Sequence, residues 1–154
     1  MLSQKAKYAL KALIALAESD EGELLQANEI AEKHNIPKKF LDLILLELRR
    51  HRLIDSRRGK KGGYLLLRPA ETITIGDIVR AIDGPLAPIP CASVTAYRPC
   101  PDCNDHKACM IRRIMREVRD AAAGILDNTS LAEAAQKKPS RKGERARRAA
   151  RHAA

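Results

Sequence analysis

Long apolar stretches are missing from this 154-residue chain, although 45% of its residues are hydrophobic. No apolar run approaches the roughly 20 residues that a transmembrane helix needs, so we expect no membrane-spanning segment. The N-terminus also lacks the uninterrupted apolar region and the small-residue cleavage site of a signal peptide. These absences predict a cytoplasmic protein. Because thiols inside the cell are kept reduced, its cysteines are expected to ligate metal rather than form disulfides.

Motifs of enzymatic chemistry are missing as well. The chain has no glycine-rich nucleotide-binding motif, and no nucleophilic cysteine is plausibly paired with a positioned base. We therefore expect that the protein is not an enzyme.

Acidic residues are too few to balance the basic ones: 19 Asp and Glu stand against 29 Lys and Arg, which gives a formal net charge of +10. Such an excess favours a polyanionic partner, either nucleic acid or an anionic membrane surface. Much of it lies in residues 137–151, where eight Lys and Arg accompany Glu144 alone. This stretch has no apolar stripe, so residues 137–154 are predicted to form a disordered basic tail.

Helical periodicity dominates the first third of the chain. Ser3 is placed to cap a helix that runs to about Glu18, and a short helix from Leu25 to His34 follows. Pro37 marks the start of a third helix, from about Lys38 to His51. Its predicted buried residues are Phe40, Leu41, Ile44, Leu45 and Leu48. Its predicted exposed residues are Lys38, Lys39, Asp42, Arg49 and Arg50. This pattern is typical of a helix-turn-helix.

Two short segments, residues 53–57 and 64–68, are predicted to form strands directly after the third helix. The turn between them, Arg58-Gly-Lys-Lys-Gly-Gly63, is basic and rich in glycine, which permits the positive φ angles of a tight ribbon. A basic turn by itself is usually a solvated loop. Placed after a helix-turn-helix, it predicts a winged helix whose tip reaches DNA phosphates or a minor groove.

All four cysteines fall within nineteen residues, in or directly after a stretch that five prolines interrupt. Cys91, Cys100, Cys103 and Cys109 have the spacing C-x8-C-x2-C-x5-C. An irregular loop has no hydrogen-bonded ladder to hold such residues apart, so four thiolates can converge on one metal centre. The spacing suits an iron–sulfur cluster or tetrahedral zinc. Zinc sites usually offer two close pairs of ligands, whereas only Cys100 and Cys103 form such a pair here.

The remaining sequence predicts three more helices. A capping box at Thr74 and Asp77 predicts a helix over Ile75–Asp83, and a second box at Ser130 and Glu133 predicts a short helix to about Ala135. Between them, the longest helix runs from about His106 to Asp127. Its narrow apolar stripe suits pairing with another helix, and packing on the chain's own core is the alternative.

The predicted fold is therefore mainly α with a small β-wing. We expect a winged helix-turn-helix DNA-binding domain over residues 1–84 and a cysteine-rich cluster-binding loop over residues 85–106. A dimerisation helix and short terminal helix are expected over residues 107–136, followed by the basic tail.

Five short motifs occur in one order along the chain: Lys7-Tyr-Ala-Leu10, Ile36-Pro-Lys-Lys-Phe-Leu41, Arg58-Gly-Lys-Lys-Gly-Gly-Tyr64, Ile82-Asp-Gly-Pro85 and Leu126-Asp-Asn-Thr-Ser-Leu131. In this combination the chain resembles the Rrf2 family of bacterial winged-helix transcription regulators, over residues 1 to about 136. The resemblance implies a homodimer that binds a pseudopalindromic operator in double-stranded DNA. It also implies, for many family members, an iron–sulfur cluster held in the loop.

The family's ligands transfer only in part. Cys91, Cys103 and Cys109 match the three cysteines of the cluster-binding branch. The fourth ligands of two branches fall at Arg112 and Lys7, neither of which ligates a cluster. Cys100 is therefore expected to complete a set for a [2Fe–2S] or [4Fe–4S] cluster, and His106 is a weaker candidate.

These expectations combine into a regulator that senses iron–sulfur, redox or nitric oxide status. Lys38, Lys39 and Asp42 are expected to contact base edges, and Arg58, Lys60 and Lys61 to contact phosphates or the minor groove. A structural zinc site or a thiol switch is an alternative use of the same loop. A cluster carrier that does not regulate transcription is the alternative from another class.

Overall fold

Capping signals and apolar periodicity build six α-helices and one antiparallel sheet in residues 2–136, the residues that this computed structural model describes. The predicted basic tail, residues 137–154, lies outside the described residues. In chain order the elements are α1 (Gln4–Glu18), α2 (Ala27–His34), α3 (Lys38–Arg50), β1 (Ile54–Arg57), β2 (Gly63–Leu66), α4 (Ile75–Asp83), α5 (Met110–Leu126) and α6 (Leu131–Gln136). The prediction of a mainly α fold with a small β-wing is confirmed.

The helix starts follow local hydrogen bonds. The Ser3 Oγ accepts from the Ala6 N–H at 3.0 Å, so the predicted cap of α1 is confirmed. The capping boxes that begin α4 and α6 are also present: Thr74 exchanges bonds with Asp77, and Ser130 with Glu133. Each cap satisfies backbone N–H groups that the helix itself leaves without partners.

The helix-turn-helix is formed by α2 and α3. Asn35 ends α2 with a φ of 51°, a left-handed conformation that Asn tolerates, and Pro37 leads into α3. The predicted burial of Phe40 is wrong: it is 40% exposed, because it lies at the flank of α3. Its ring packs edge-to-face with the ring of Tyr8, with the two ring centres 5.7 Å apart. The other four predicted apolar residues of α3 are fully buried.

The wing is a two-stranded ribbon in which Ile54 pairs with Leu66 and Arg57 with Gly63. A third segment joins it, since Leu25 exchanges backbone hydrogen bonds of 3.0 and 2.8 Å with Tyr64. This pairing explains why α2 begins at Ala27 rather than at the predicted Leu25. The wing is thereby attached to the segment that precedes the helix-turn-helix.

The core lies between α1 and the elements packed around it. Its largest fully buried side chains include Leu13, Ile30, Leu45 and Ile78. Leu131 of α6 joins this core, because the backbone of residues 129–131 bonds to residues 73–75 (Leu131 N–H to Ile73 C=O, 2.8 Å). The short terminal helix therefore packs on the winged helix, and the division into domains remains a prediction.

The long helix α5 contrasts with the core. It begins at Met110, later than predicted, because Cys109 occupies the cap position. Its apolar stripe is uncovered: Ile111, Ile114, Val118 and Ile125 are between 47% and 69% exposed. Among the described residues, none of the helices combines the length and the apolar character needed to cross a membrane.

Candidate nucleic-acid interface and cysteine centre

The outward face of α3 carries the predicted base-contacting residues. Lys38, Lys39 and Asp42 are all exposed, as expected for side chains that reach a ligand. Lys38 and Asp42 are paired with each other, with the Lys38 Nζ at 2.9 and 3.1 Å from the two carboxylate oxygens. The carboxylate is therefore already neutralised within the helix, and Lys39 is left as the uncompensated cation of the first turn.

Two leucines accompany these charges. Leu43 is 64% exposed and Leu46 is 41% exposed. They lie one helical turn from each other and one turn from Lys39 and Arg50 respectively, so the four side chains form a single outward stripe. The sequence analysis did not identify this stripe, because it assigned only charged residues to the exposed face of α3 and made no prediction for Leu43 and Leu46.

The wing presents Arg58, Lys60 and Lys61, all of which are exposed at its tip. The turn is tight at Gly62, where a Cβ would lie 2.2 Å from the Arg57 carbonyl oxygen, so only glycine fits. Arg49, at the end of α3, donates to the Ser56 hydroxyl at 3.0 Å and joins the helix to β1. The wing is therefore held in a defined position relative to α3.

The four cysteines occupy different structural positions. Cys91 is buried in a short 3-10 turn, Pro90–Ala92. Cys100 and Cys103 lie half-buried in a turn in which the Cys103 N–H donates to the Cys100 carbonyl at 3.4 Å. Cys109 is the N-cap of α5. All four are free thiols.

Two of these thiols interact directly, namely those of Cys103 and Cys109. The pKa of Cys109 is lowered, chiefly because the Arg112 backbone N–H donates to its sulfur at 3.5 Å, and the Arg112 charge adds to this. Partial burial, followed by the charge of Cys109, raises the pKa of Cys103. Of the pair, Cys109 is the thiol that ionises more readily, as is usual at a helix N-terminus.

Arg112 fastens the loop to the first turn of α5. Its Nε donates to the Cys91 carbonyl at 2.9 Å and its Nη1 to the His106 carbonyl at 3.3 Å. Its guanidinium also lies 5.9 Å from the centre of the Tyr97 ring. One side chain thus joins three parts of the loop to α5. Sequence analysis considered Arg112 only as a residue that does not ligate, although its place three residues after Cys109 puts both on one helical face.

His106 lies beside this clamp. Its Nδ1 is buried and has no hydrogen-bond partner among the described residues. A groove of about 340 Å³ adjoins it, and four basic residues of its lining outnumber two acidic ones: Lys107, Arg112, Arg113 and Arg116 against Glu117 and Asp120. The surroundings of Cys109 are therefore positively charged, which favours anionic sulfur.

The end of α5 is joined to the winged helix by one ion pair. Arg80 of α4 binds Asp127 through two parallel bonds of 2.7 and 2.8 Å, and this hydrogen bonding lowers the pKa of Asp127. Gly76 makes room for the pair, since a Cβ there would lie 1.9 Å from the Asp127 Oδ1.

Four cysteine thiols are the right type of ligand for an iron–sulfur or zinc centre, but their sulfur atoms do not converge on one point. Within residues 2–136, no three Cys, His, Asp or Glu side chains are arranged to hold a metal ion. Four free thiols and the unpaired His106 Nδ1 nevertheless lie on one loop that is clamped to one helix start. Binding of a cluster would require the loop to rearrange so that the sulfurs converge on one point.

Comparison with known proteins gives a consistent result. A model of the Rrf2 family, described as an iron-dependent transcriptional regulator, matches residues 2–137. An HTH-type transcriptional regulator of Rhodobacter capsulatus, named rrf2-like, is 46% identical over 134 residues, which cover 85% of this chain and 89% of that protein. The regulator IscR of Escherichia coli is 28% identical over 132 residues, which cover 86% and 78% of the two chains.

Among solved structures, CymR, the global cysteine regulator of B. subtilis, is similar with a TM-score of 0.72. It is 30% identical, and the match covers 88% of this chain and 96% of CymR. The similarity extends over the winged helix and the long helix together.

Proposed function

This chain belongs to the Rrf2 family of transcriptional regulators, and from that premise we propose that it binds a pseudopalindromic operator as a homodimer. We propose further that it senses iron–sulfur, redox or nitric oxide status through a cluster on its cysteine loop. One observation carries the sensing part of this proposal. The loop is fastened to the start of α5, because Cys109 caps the helix and Arg112 binds the Cys91 carbonyl. A change in the loop therefore acts directly on α5.

DNA binding is supported by the exposed charges of two adjoining elements. Lys38, Lys39 and Asp42 lie at the start of α3, the part of a recognition helix that contacts base edges. Arg58, Lys60 and Lys61 at the wing tip are available for phosphates or the minor groove. The Arg49–Ser56 hydrogen bond fixes the two elements relative to each other, so both engage one duplex at once.

Cluster binding is assigned to Cys91, Cys103 and Cys109, with Cys100 as the fourth ligand. Such a cluster supplies a redox-active, anionic centre, whose charge the surrounding arginines offset. Arg112 holds the Cys91 turn against the helix start, and the arginines of the adjoining groove keep the site positive. The pKa of the Cys109 thiol is lowered, which favours the thiolate form that ligates a cluster.

Coupling to DNA follows from the place of α5. Its first turn is bound to the cysteine loop, and its last residues are bound to α4 through Arg80 and Asp127. Its exposed apolar stripe suits the same stripe of a second copy, as in helix pairs. A shift of α5 therefore changes the distance between two recognition helices, which have to match half-sites one helical turn apart.

A thiol switch is the second candidate for the same loop, and the contact between Cys103 and Cys109 favours it. Two neighbouring thiols can form a reversible disulfide when an oxidant such as a peroxide or another disulfide takes up the two electrons and two protons that they release. This candidate predicts a colourless protein that binds no metal. A structural zinc site predicts a colourless protein with one zinc ion per chain.

Anaerobic purification separates these candidates. We expect a brown protein with visible absorption that contains iron and acid-labile sulfide and no stoichiometric zinc. A colourless, metal-free protein would favour the thiol switch, and a colourless protein with zinc would favour the structural site. Either result would overturn the cluster proposal while leaving the regulator itself intact.

The fourth ligand is tested by substitution. Cys100→Ala is expected to lose iron and sulfide as Cys103→Ala does, whereas Asn104→Ala, an exposed residue of the same turn, should retain both. A cluster of unchanged air stability in Cys100→Ala would assign the fourth position to His106, whose Nδ1 has no partner in residues 2–136, or to the second subunit.

A further inference from the structure

The face of α3 that points directly away from the core is apolar where it would be expected to be polar. Leu43 is 64% exposed and Leu46 is 41% exposed, while Leu41, Ile44, Leu45 and Leu48 on the opposite face are fully buried. An amphipathic surface helix normally places polar residues at these outward positions. Nothing in residues 2–136 covers the two leucines, so the fold does not account for them.

The charges around the two leucines indicate what covers them. Lys39 lies one turn before Leu43, and Arg50 lies one turn after Leu46. The exposed wing cations lie beside the same helix, which Arg49 ties to β1. Two acidic residues, Asp42 and Glu47, also lie beside the α3 leucines, but each is paired with a lysine, Asp42 with Lys38 at 2.9 Å and Glu47 with Lys5 at 2.6 Å. The apolar stripe of α5 is bordered by Arg113, Glu117 and Asp120. The α5 stripe suits a second copy of the chain, whereas the α3 stripe suits a polyanion with apolar groups on it.

Double-stranded DNA presents such groups in its major groove. The C5 methyl group of thymine is the apolar feature of the base edges there, and it is read by apolar side-chain contact. Asp42, the neighbouring candidate for base recognition, is held by Lys38 at 2.9 Å, so part of its capacity to accept hydrogen bonds is already used. Leu43 has no competing contact of this kind.

We propose that Leu43 is a specificity-determining residue that contacts a thymine methyl group in each half-site of the operator. This inference rests on the proposed DNA-binding function and adds to it a base preference that charge alone does not supply. Lysines and arginines of the wing attract any duplex, and an apolar side chain in the groove discriminates through one methyl group. Leu46 lies farther along the helix, away from the N-terminal part that approaches base edges.

Uracil substitution tests the proposal, because uracil differs from thymine only by the missing methyl group. The full chain first selects a site from a pool of random-sequence duplexes. Each thymine of the selected site is then replaced by uracil in turn, and the affinity of each duplex is measured. For the wild type we expect one position per half-site at which uracil weakens binding about threefold to fivefold, as expected for one buried methyl group.

Two leucine variants complete the test. Leu43→Ala should bind the thymine and uracil duplexes equally, whereas Leu46→Ala, the matched control on the same stripe, should keep the wild-type sensitivity. Uniform affinity for all uracil duplexes, or equal sensitivity in wild type and Leu43→Ala, would overturn the inference and leave the proposed function standing. Failure to select any site would instead overturn the DNA-binding function. Loss of self-association in Leu43→Ala would assign the stripe to a second copy and also overturn the inference.

Discussion

Residues 2–84 and residues 85–126 of this protein differ in how much apolar surface they bury. The first region contains most of the core, in which Leu13, Ile44 and Ile78 are fully buried, and its helices α1 and α4 begin at side-chain caps. The second region buries little: on α5 only Arg119 is buried, while the apolar stripe of the same helix is exposed. Its loop is held by a few polar contacts, of which those of Arg112 reach farthest.

The difference indicates which region needs something else to complete it. Burial of apolar surface stabilises the first region without any ligand. The second region has thiols that are not gathered and an apolar face that nothing in residues 2–136 covers, so a cluster and a second copy are the additions that fit it. For the sensor that we propose, this division would keep the DNA-contacting part folded while the cysteine loop and α5 change.

The largest expected effect is on the core of the first region. Leu45→Ala should lower the free energy of unfolding by about 2–5 kcal/mol, because a fully buried leucine leaves a cavity. Leu43→Ala, on the exposed side of the same helix, should change it by no more than about 0.5 kcal/mol. Chemical unfolding at a fixed protein concentration compares the two. Similar losses in both variants would mean that the two faces of α3 are not as distinct as described.

Self-association should respond to the second region alone. Ile114→Glu places a charge on the uncovered stripe of α5, and like charges opposed across a dimer should weaken association by about a hundredfold or more. Sedimentation equilibrium measures this, with circular dichroism to verify folding. Leu43→Glu, which places the same charge on another exposed apolar position, is the control and should remain dimeric. A dimeric Ile114→Glu would remove the assigned role of the stripe.

The stability of the contact between α4 and the end of α5 should be lowered by a single methyl group added at Gly76. In Gly76→Ala the new Cβ would collide with the Asp127 carboxylate, and we expect a loss of about 1–3 kcal/mol in unfolding free energy. Gly124→Ala, on α5 with no atom within 4 Å of the added Cβ, should instead gain up to about 1 kcal/mol. The loss should shrink when Gly76→Ala is combined with Asp127→Ala. An unchanged loss in the double variant would place the strain elsewhere.

The smallest effect concerns the Arg80–Asp127 pair itself. Both side chains are partly exposed, so Asp127→Asn should cost only about 0.2–1 kcal/mol at neutral pH. The pKa of Asp127 is lower in the folded protein than its ordinary value. The stabilisation by the ion pair is therefore fully present above the ordinary pKa and is lost as the pH falls through the pKa of the folded state. Wild type and Asp127→Asn should therefore converge in stability in acid. A difference in unfolding free energy that persisted at low pH would indicate that it does not arise from the charge of Asp127.

Features that depend on a few neighbouring residues were predictable from the sequence. Ser3 caps α1, and the box of Thr74 and Asp77 begins α4 at the predicted residue, because the bonding groups are only three residues apart. The glycines of the wing turn are equally local in their effect. The positions of the four cysteines on one loop follow from their spacing, and the cluster they are proposed to bind remains a prediction.

Contacts between distant segments were decided only by the tertiary structure. Arg112 reaches the Cys91 carbonyl across 21 residues and Arg80 reaches Asp127 across 47, and no periodicity or cap signal encodes such partners. Phe40 is exposed at the flank and Leu43 points outward because the packing of α3 on α1 selects which face is buried. The sequence by itself determined where helices start and which residues are apolar. The folded chain determined which apolar faces remain uncovered, since burial depends on what the rest of the chain brings to each surface.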